Sequence, residues 1–484
     1  MNLVVLLLVS ILTVANADLP VHCLHENIVG EWKLFKSRLV ERDYPLDCKK
    51  DVGNTEIEET IVLKSPNIVY NKNNRRIGFW TMIYDQGFEF TIKEQLHFAF
   101  NNFTQQRTGE NEMITSYCGQ TSFGWYRILD DNKHGCYYAH KINVKKNDTI
   151  VSPPVNSMLY LEKGEYEKLN THKNNHKLVR SINEEEDWSA EAYDNLEKMT
   201  ISKIKAISGQ SIDTKTQQQL LESENRVMED SAADRILRKQ LPKQWDWRNV
   251  SGINYVGPVR DQESCGSCYA FAATSAIESR VRILTNNRLK SILSPQQVVS
   301  CSDYNQKCSG GFPIMVGKHG YDFYLVPEEC YEYQGQPGDC KLACKNPKYK
   351  VKVTQYSYIG GYYGANNELN MMREVVERGP ISINYMVYPS FHYYKHGVYR
   401  HNHKQSRFFN IKTAHNGVKH WEATTHAVAV VGYGETDEGV RYWICKNSWG
   451  DWWGEGGYFK ILRGVDECAS EMQASSAQIE IIEM

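Results

Sequence analysis

An α+β fold built in successive regions is predicted for this 484-residue chain, and three observations predict it. Residues 18 to about 140 carry aromatic, partly alternating runs separated by turn residues, the pattern of an all-β unit. Residues from about 141 to 240 are rich in Lys, Glu, Asn and Gln, poor in Gly and free of Cys, with helical spacing. From about residue 241 a helix-rich half is followed by strand-like segments such as Tyr442-Trp443-Ile444-Cys445, an order that reads as α+β. The length exceeds one ordinary domain, and 41% apolar residues with 11 Trp supply substantial cores.

The first residues read as a secretory signal, residues 1–17. Leu3 to Val14 is an apolar stretch shorter than a membrane span, followed by the small-residue cleavage signature Ala15-Asn16-Ala17. No later stretch is apolar for long enough to cross a bilayer. A net charge of −2 without a long basic block argues against a nucleic-acid partner. Thirteen cysteines fit an oxidising route, and the odd number leaves at least one thiol free. Asn102-Phe103-Thr104, Asn147-Asp148-Thr149 and Asn249-Val250-Ser251 are glycan acceptor sequons.

In the first region Phe79-Trp80-Thr81-Met82-Ile83-Tyr84 and Phe88-Glu89-Phe90-Thr91-Ile92 flank Asp85-Gln86-Gly87, which predicts a hairpin. Cys23, Cys48, Cys118 and Cys136 also fall here, an even number that suggests two internal bridges. In the middle region Leu178 to Ile207 has helical spacing, and Thr214 to Leu241 resembles a polar helix or linker. Glu184-Glu185-Glu186 is expected on solvated helix surface. Two readings stand for 141–240, a helical spacer and a removable propeptide; the second is favoured. The third region opens near Leu241-Pro242-Lys243-Gln244-Trp245 and holds the other nine cysteines.

Three residues there carry chemistry. Cys268 ends Gln262-Glu263-Ser264-Cys265-Gly266-Ser267-Cys268, and Ala270, Ala273, Ile277, Val281 and Leu284 follow at helical spacing. Cys268 therefore opens a helix, whose dipole and a neighbouring imidazolium favour a thiolate. The alternative, a redox or zinc Cys-x-x-Cys pair, lacks a thioredoxin-like setting and a second pair of ligands. His426 precedes the apolar run Ala427-Val428-Ala429-Val430-Val431, a rigid support. It is placed to hold the thiolate as an ion pair and then to protonate a leaving amine. His401, His403, His415 and His420 lie in the preceding polar loop and are expected to be exposed. Asn447, in Lys446-Asn447-Ser448-Trp449-Gly450, would align the far ring nitrogen, with Trp449 shielding that bond. Gln262 and the Cys268 backbone N–H would form an oxyanion hole. A cysteine nucleophile, a histidine base and an amide orienter are the equipment for acyl transfer through a thioester.

At Gln262, Cys268, His426 and Asn447 the sequence resembles the papain family of thiol peptidases. The resemblance implies a two-lobed catalytic domain over 241–484, a helical lobe beside a β-barrel lobe. Cys308-Ser309-Gly310-Gly311 resembles that family's glycine wall, whose backbone pairs with substrate. His426 follows Cys268 at an unusually long interval, which the polar loop 400–421 takes up. Ile83-Tyr84-Asp85-Gln86-Gly87-Phe88-Glu89 and Phe123-Gly124-Trp125 are similar to pieces of an extra barrel, the exclusion domain, found in the dipeptidyl peptidase branch of the family. Leu284-Thr285-Asn286-Asn287 and Gly464-Val465-Asp466-Glu467-Cys468-Ala469 resemble that branch's catalytic domain. This likeness extends over nearly the whole chain.

The branch implies an exclusion domain over 18–140, an activation propeptide over 141–240 and release of dipeptides from free N-termini of peptides and proteins. Signal cleavage after Ala17 exposes Asp18, whose carboxylate would bind the substrate's α-ammonium. A frayed terminus is the plain alternative, and Cys23 nearby argues for tethering. Bridges Cys23–Cys118, Cys48–Cys136, Cys265–Cys308, Cys301–Cys340 and Cys330–Cys344 are implied, with Cys445 and Cys468 left as inert core thiols. Chloride is implied beneath the second subsite by Phe312 and Tyr358; Ile314 stands where the family has a second tyrosine, leaving only its backbone N–H to donate. Thr425 replaces the usual Asn before the base, where its backbone would still support substrate. No metal and no organic cofactor are expected. Further implications are a lysosomal or secreted location, an activating protease, cuts before Leu241 and within 400–421 near Arg407, and a homotetramer. The nearest rival is an endopeptidase of the cathepsin B or L type; one of another class is a non-catalytic binding protein that kept the fold.

Overall fold

The computed structural model describes residues 23–41, 48, 57–108, 111–129, 131, 133–151, 155–156, 168–208, 210–211, 232–340, 347–402 and 424–483. Asp18, Cys344 and the loop from 403 to 423 lie outside the described residues, as do His403, His415 and His420.

The first region is a closed antiparallel barrel. Its main strands are β1 (Gly30–Lys36), β2 (Ile57–Lys64), β3 (Ile68–Tyr70), β4 (Arg76–Ile83), β5 (Gly87–Ile92), β6 (Gln95–Thr108), β7 (Asn111–Thr121), β8 (Gly124–Ile128) and β9 (Lys133–Lys141). They run β1-β2-β3-β4-β5-β6-β8-β9, and β1 pairs β9 to close the ring. Alternation decides which side chains enter: in β1 Trp32 and Leu34 are fully buried, and in β4 Trp80 and Met82 point inward while Phe79 is exposed. The predicted hairpin is present, with Ile83 opposite Gly87. Tyr84 occupies the turn in a left-handed conformation, φ 50°, an uncommon state for an aromatic residue. Gly87 cannot carry a side chain, because a Cβ there would stand 2.5 Å from the Ala99 carbonyl oxygen of β6.

The middle region is not one long helix. Helix α1 (His176–Glu185) is capped by Asn175, whose side chain accepts from Leu178 N–H. It is followed by the short strand β10 (Ser189–Ala190), α2 (Ile201–Ile207), β11 (Gln210–Ser211) and α3 (Ala232–Gln240). The helical spacing of Leu178 to Ile207 breaks because Trp188, Tyr193 and Leu196 turn into the core of the third region. Glu186 also departs from expectation. Its side chain is 4% exposed and accepts from Asn402 Nδ2 at 2.7 Å, so only part of the acidic run is solvated.

The third region has two lobes. The helical lobe contains α4 (Cys268–Leu284), α5 (Pro295–Cys301) and α6 (Pro313–Asp322). Helix α4 is buried along nearly its whole length, with Leu284 exposed at its end. Ser294 caps α5 with Pro295 in the first turn. The β lobe is one sheet. Its strands are β12 (Trp245–Asp246), β13 (Tyr349–Tyr358), β14 (Ile381–Val387), β16 (Val398–Tyr399), β17 (Thr424–Glu435), β18 (Arg441–Lys446), β19 (Tyr458–Leu462) and β20 (Ser475–Glu483). The order is β13-β20-β14-β17-β18-β19-β16, and β11 and β12 add to β17. Helix α7 (Glu368–Arg378) packs against this sheet, and β15 (Tyr394–His396) pairs with β10 of the middle region.

Barrel and helical lobe meet through charge as well as apolar packing. Asp322, at the end of α6, receives Arg127 from β8 at 2.7 Å, Lys318 at 3.1 Å and the Tyr304 hydroxyl at 2.7 Å. Burial alone would raise the Asp322 carboxyl, but Lys318 and Arg127 outweigh it and hold it at about 2. Glu89 of β5 accepts from Tyr356 at 2.7 Å. Around these ties Ile83, Phe98, Phe312, Ile314, Met315 and Tyr358 form a shared apolar cluster. The barrel is therefore seated on the helical lobe at α6.

Candidate active site

Cys268 is the first residue of α4, the position its sequence spacing predicted. The N-cap Ser267 makes no side-chain cap bond; its carbonyl takes the Ala270 N–H at 2.9 Å, so of the first turn the Cys268 and Tyr269 N–H groups remain. The backbone N–H groups of Ala427, Tyr269 and Cys268 favour its thiolate, yet burial is the larger effect and pushes the thiol up to about 11. His426 lies on β17 directly opposite Tyr385 of β14. Its Nε2 is 2.8 Å from Asn447 Oδ1, and burial pushes the imidazole down to about 4 against the smaller upward effect of Asn447. Trp449 stands beside the imidazole with ring centroids 5.2 Å apart. In this form the thiol and the imidazole are both favoured neutral. The ion pair expected from the sequence is opposed by desolvation of both partners.

Gln262 is fully buried. Its Nε2 donates to the Cys265 carbonyl at 3.0 Å and its Oε1 accepts from Ser448 Oγ at 2.7 Å. One amide hydrogen is left for an oxyanion. Ser448 thus joins the Gln262 and Asn447 segments, a link that no local sequence pattern signals.

The middle region covers this site. Ile207, at the end of α2, accepts from Trp449 Nε1 at 2.8 Å. Ser208 Oγ hydrogen-bonds the His392 Nε2, and the His392 ring stacks on Trp449 at 5.3 Å. Gln210 and Ser211 pair with Thr425 and Thr424, on the strand that carries His426. Thr425 is thereby engaged by its backbone on both edges, since Met386 pairs with it from β14. Cys268 is left 6% exposed.

Gly310 has φ 128°, which favours glycine, and Gly311 has no room for a side chain because a Cβ would lie 2.5 Å from Asn305 Oδ1. Phe312, Ile314 and Tyr358 fall in one buried cluster. Tyr84 carries no role in the sequence-based expectations, although the hairpin that holds it does. Its ring packs on Phe312 at 4.4 Å. Burial drives its phenol well above the ordinary value, Tyr363 and Cys268 add to the rise, and a hydrogen bond with the Asn384 side chain opposes it. The turn of the barrel thus reaches the neighbourhood of the thiol. An aromatic residue at the tip of a predicted turn was the available signal.

Disulfides join Cys23 to Cys118, Cys48 to Cys136, Cys265 to Cys308 and Cys301 to Cys340. Cys330 is also disulfide-bonded, while Cys344 lies outside the described residues. Cys268, Cys445 and Cys468 are buried thiols outside these disulfides. Among the sequons, Asn147 and Asn249 are exposed, whereas Asn102 is half-buried on β6. His401 is not exposed as expected: it is half-buried and stacks on Tyr388.

A free cysteine at a helix N-terminus, a histidine held by an asparagine amide and a glutamine beside them, set between a helical and a β lobe, define a papain-type cysteine peptidase. Comparison with known proteins agrees and goes further. Residues 241–478 match the papain family cysteine protease model, and residues 18–141 match that of the cathepsin C exclusion domain. The chain is 34% identical to cathepsin C of Schistosoma mansoni, over 96% of each protein. It is 24% identical to dipeptidyl aminopeptidase 1 of Plasmodium falciparum, over 95% of this chain and 93% of that one. Pro-cathepsin H of Bos taurus is 36% identical over 48% of this chain only. This chain belongs to the cathepsin C group of the papain family of cysteine peptidases.

Proposed function

We propose that the described form is the latent state of a cysteine exopeptidase that removes dipeptides from free N-termini of peptides and proteins. The observation that carries this reading is the seating of the barrel: its β4–β5 turn brings Tyr84 onto Phe312 and toward Cys268. A barrel so placed closes the groove on the acyl side and limits how many residues fit ahead of the thiol. Asp18 supplies the counter-charge for the substrate's α-ammonium, and a blocked N-terminus leaves that carboxylate unpaired.

In the opened enzyme the Cys268 thiolate, paired with the His426 imidazolium, attacks the second peptide carbonyl. The oxyanion is received by the Cys268 N–H and the remaining Gln262 amide hydrogen. His426 gives its proton to the departing amine as the carbon–nitrogen bond breaks, leaving a thioester. Water, deprotonated by His426, then cleaves the thioester and restores the thiol. Asn447 holds the imidazole in one tautomer. The Gly310–Gly311 backbone and that of Thr425 support the substrate chain.

Residues 141–240 act as the activation propeptide, since α2 and β11 lie across Trp449 and Thr425. Leu241 begins the mature catalytic chain; Arg238, three residues earlier, is tied to Glu368 at 3.0 Å. An outside protease makes this cut and a second in the 400–421 loop near Arg407. Chloride is placed beneath the second subsite, because the buried Tyr358 hydroxyl donates to no acceptor among the described residues and Ile314 sits in the first turn of α6, where N–H groups lack the partners of a helix interior. Bound there, it would complete the Tyr358 hydrogen bond and stiffen the subsite floor. The signal sequence and disulfides suit a lysosomal or secreted protein, and the mature enzyme assembles as a homotetramer.

Mass spectrometry of products from an unblocked peptide tests the activity. Successive dipeptides from the N-terminus are expected. Internal fragments without dipeptides point instead to an endopeptidase of the cathepsin B or L type.

A further inference from the structure

Behind Asn447, between α4 and the strands β17 and β18, lies a cavity of about 20 Å³ whose lining includes the charged Arg260, Glu278 and Lys446 and the polar Ser275, Asn447 and Ser448 beside apolar side chains. A space of roughly 10–15 Å³ on this measure suffices for one water, which needs two to four polar partners. Asn447 is 3% exposed. Its Oδ1 serves two donors, His426 Nε2 and the Ser448 backbone N–H at 2.8 Å. Its Nδ2 is buried and has no partner among the described residues. On the other wall Lys446 Nζ donates to Ser275 Oγ at 2.9 Å and stands 3.5 Å from Glu278 Oε1. The second carboxylate oxygen of Glu278 accepts from Leu293 N–H at 3.1 Å. This ion pair is buried, with both side chains at most 5% exposed, and no step of the proposed mechanism uses it.

We infer that one internal water in this cavity accepts from Asn447 Nδ2 and donates to the Glu278 carboxylate, making Glu278 and Lys446 positioning residues for the catalytic histidine. An amide N–H left unmet in a buried site is destabilising, so an acceptor is required on that side of Asn447. With the water in place, turning the amide over would present Oδ1 to the cavity and Nδ2 to His426 and the Ser448 N–H, donor against donor. The pair thereby fixes which face the amide offers the imidazole, and so the tautomer. Burial pushes the Glu278 carboxyl up and Lys446 opposes that push, while Ser275 accepts from Lys446.

This inference rests on Asn447 being the orienter, and a double-mutant cycle on the matured enzyme separates the two. Glu278→Gln is expected to lower kcat roughly tenfold, as small misplacements of a catalytic group do, with KM unchanged within about twofold. In an Asn447→Ala background the same substitution is expected to change kcat less than about twofold, because its effect runs through the missing amide. An equal loss in both backgrounds overturns the inference while leaving Asn447 as orienter. An Asn447→Ala enzyme with undiminished kcat overturns both. Ser275→Ala, which keeps both charges, is carried through the same cycle with the same two outcomes should Glu278→Gln fail to fold.

Discussion

Cys268→Ala is expected to lower peptide turnover by about 10⁵- to 10⁶-fold, the scale seen when a covalent nucleophile is removed from a hydrolase. Both halves of the acyl-transfer cycle depend on this sulfur, so no other group in the site compensates. His426 and Gln262 would still bind and polarise, but neither can form the thioester. Folding should be little affected. The thiol is buried and small, and a methyl group in its place alters stability by about 1 kcal/mol or less. A thermal unfolding scan alongside the kinetic assay separates loss of chemistry from loss of structure. Measurable turnover near that of the parent would mean that Cys268 is not the nucleophile.

A second large effect is expected on thiol reactivity when residues 168–211 leave the cleft. In the covered form burial holds the Cys268 thiol at about 11 and the His426 imidazole at about 4, so near pH 6 little thiolate exists. Removing the cover rehydrates both groups and lets the thiolate–imidazolium pair form at the N-terminus of α4. Alkylation of Cys268 by iodoacetamide at pH 6 should accelerate by at least about 100-fold after processing. The cover itself should loosen in acid. His426 and His172 are held at about 4 and His392 at about 3, below the ordinary 6.5, mainly by burial. Their contribution to the covered state is complete above about 6.5 and falls away as pH drops through about 4 and 3. Alkylation of unprocessed chain should therefore speed up, relative to the thiolate available, between pH 7 and pH 4. A rate that is unchanged by processing would show that the segment does not gate the thiol.

The elements that set up the site were legible because each depends on short-range pattern. Helical spacing after Cys268 placed the nucleophile at the start of α4, and the apolar run after His426 placed the base on a strand. The barrel announced itself through aromatic alternation and one turn. What escaped the sequence was set by contacts distant along the chain. Trp188 and Tyr193 interrupt the middle helices only because the β lobe offers them a core. Glu186 and His401 are drawn in by Asn402 and Tyr388, groups near the loop that the sequence marked as polar and exposed. Tyr84 acquired its place from the docking of two separate regions. Likewise, the cover over Trp449 and Thr425 comes from a segment more than fifty residues upstream of Cys268, which no local motif near Cys268 encodes.

The claim that everything else serves is that the barrel measures off two residues by holding a free α-ammonium. It is tested most directly by comparing kcat/KM for a dipeptidyl substrate with a free amine and for its N-acetylated form, in the parent enzyme and in Asp18→Ala. The account predicts discrimination of at least about 100-fold in the parent, the order expected when a buried charge loses its partner, and its collapse in the variant. Equal rates on both substrates in the parent, or undiminished discrimination in Asp18→Ala, would contradict it.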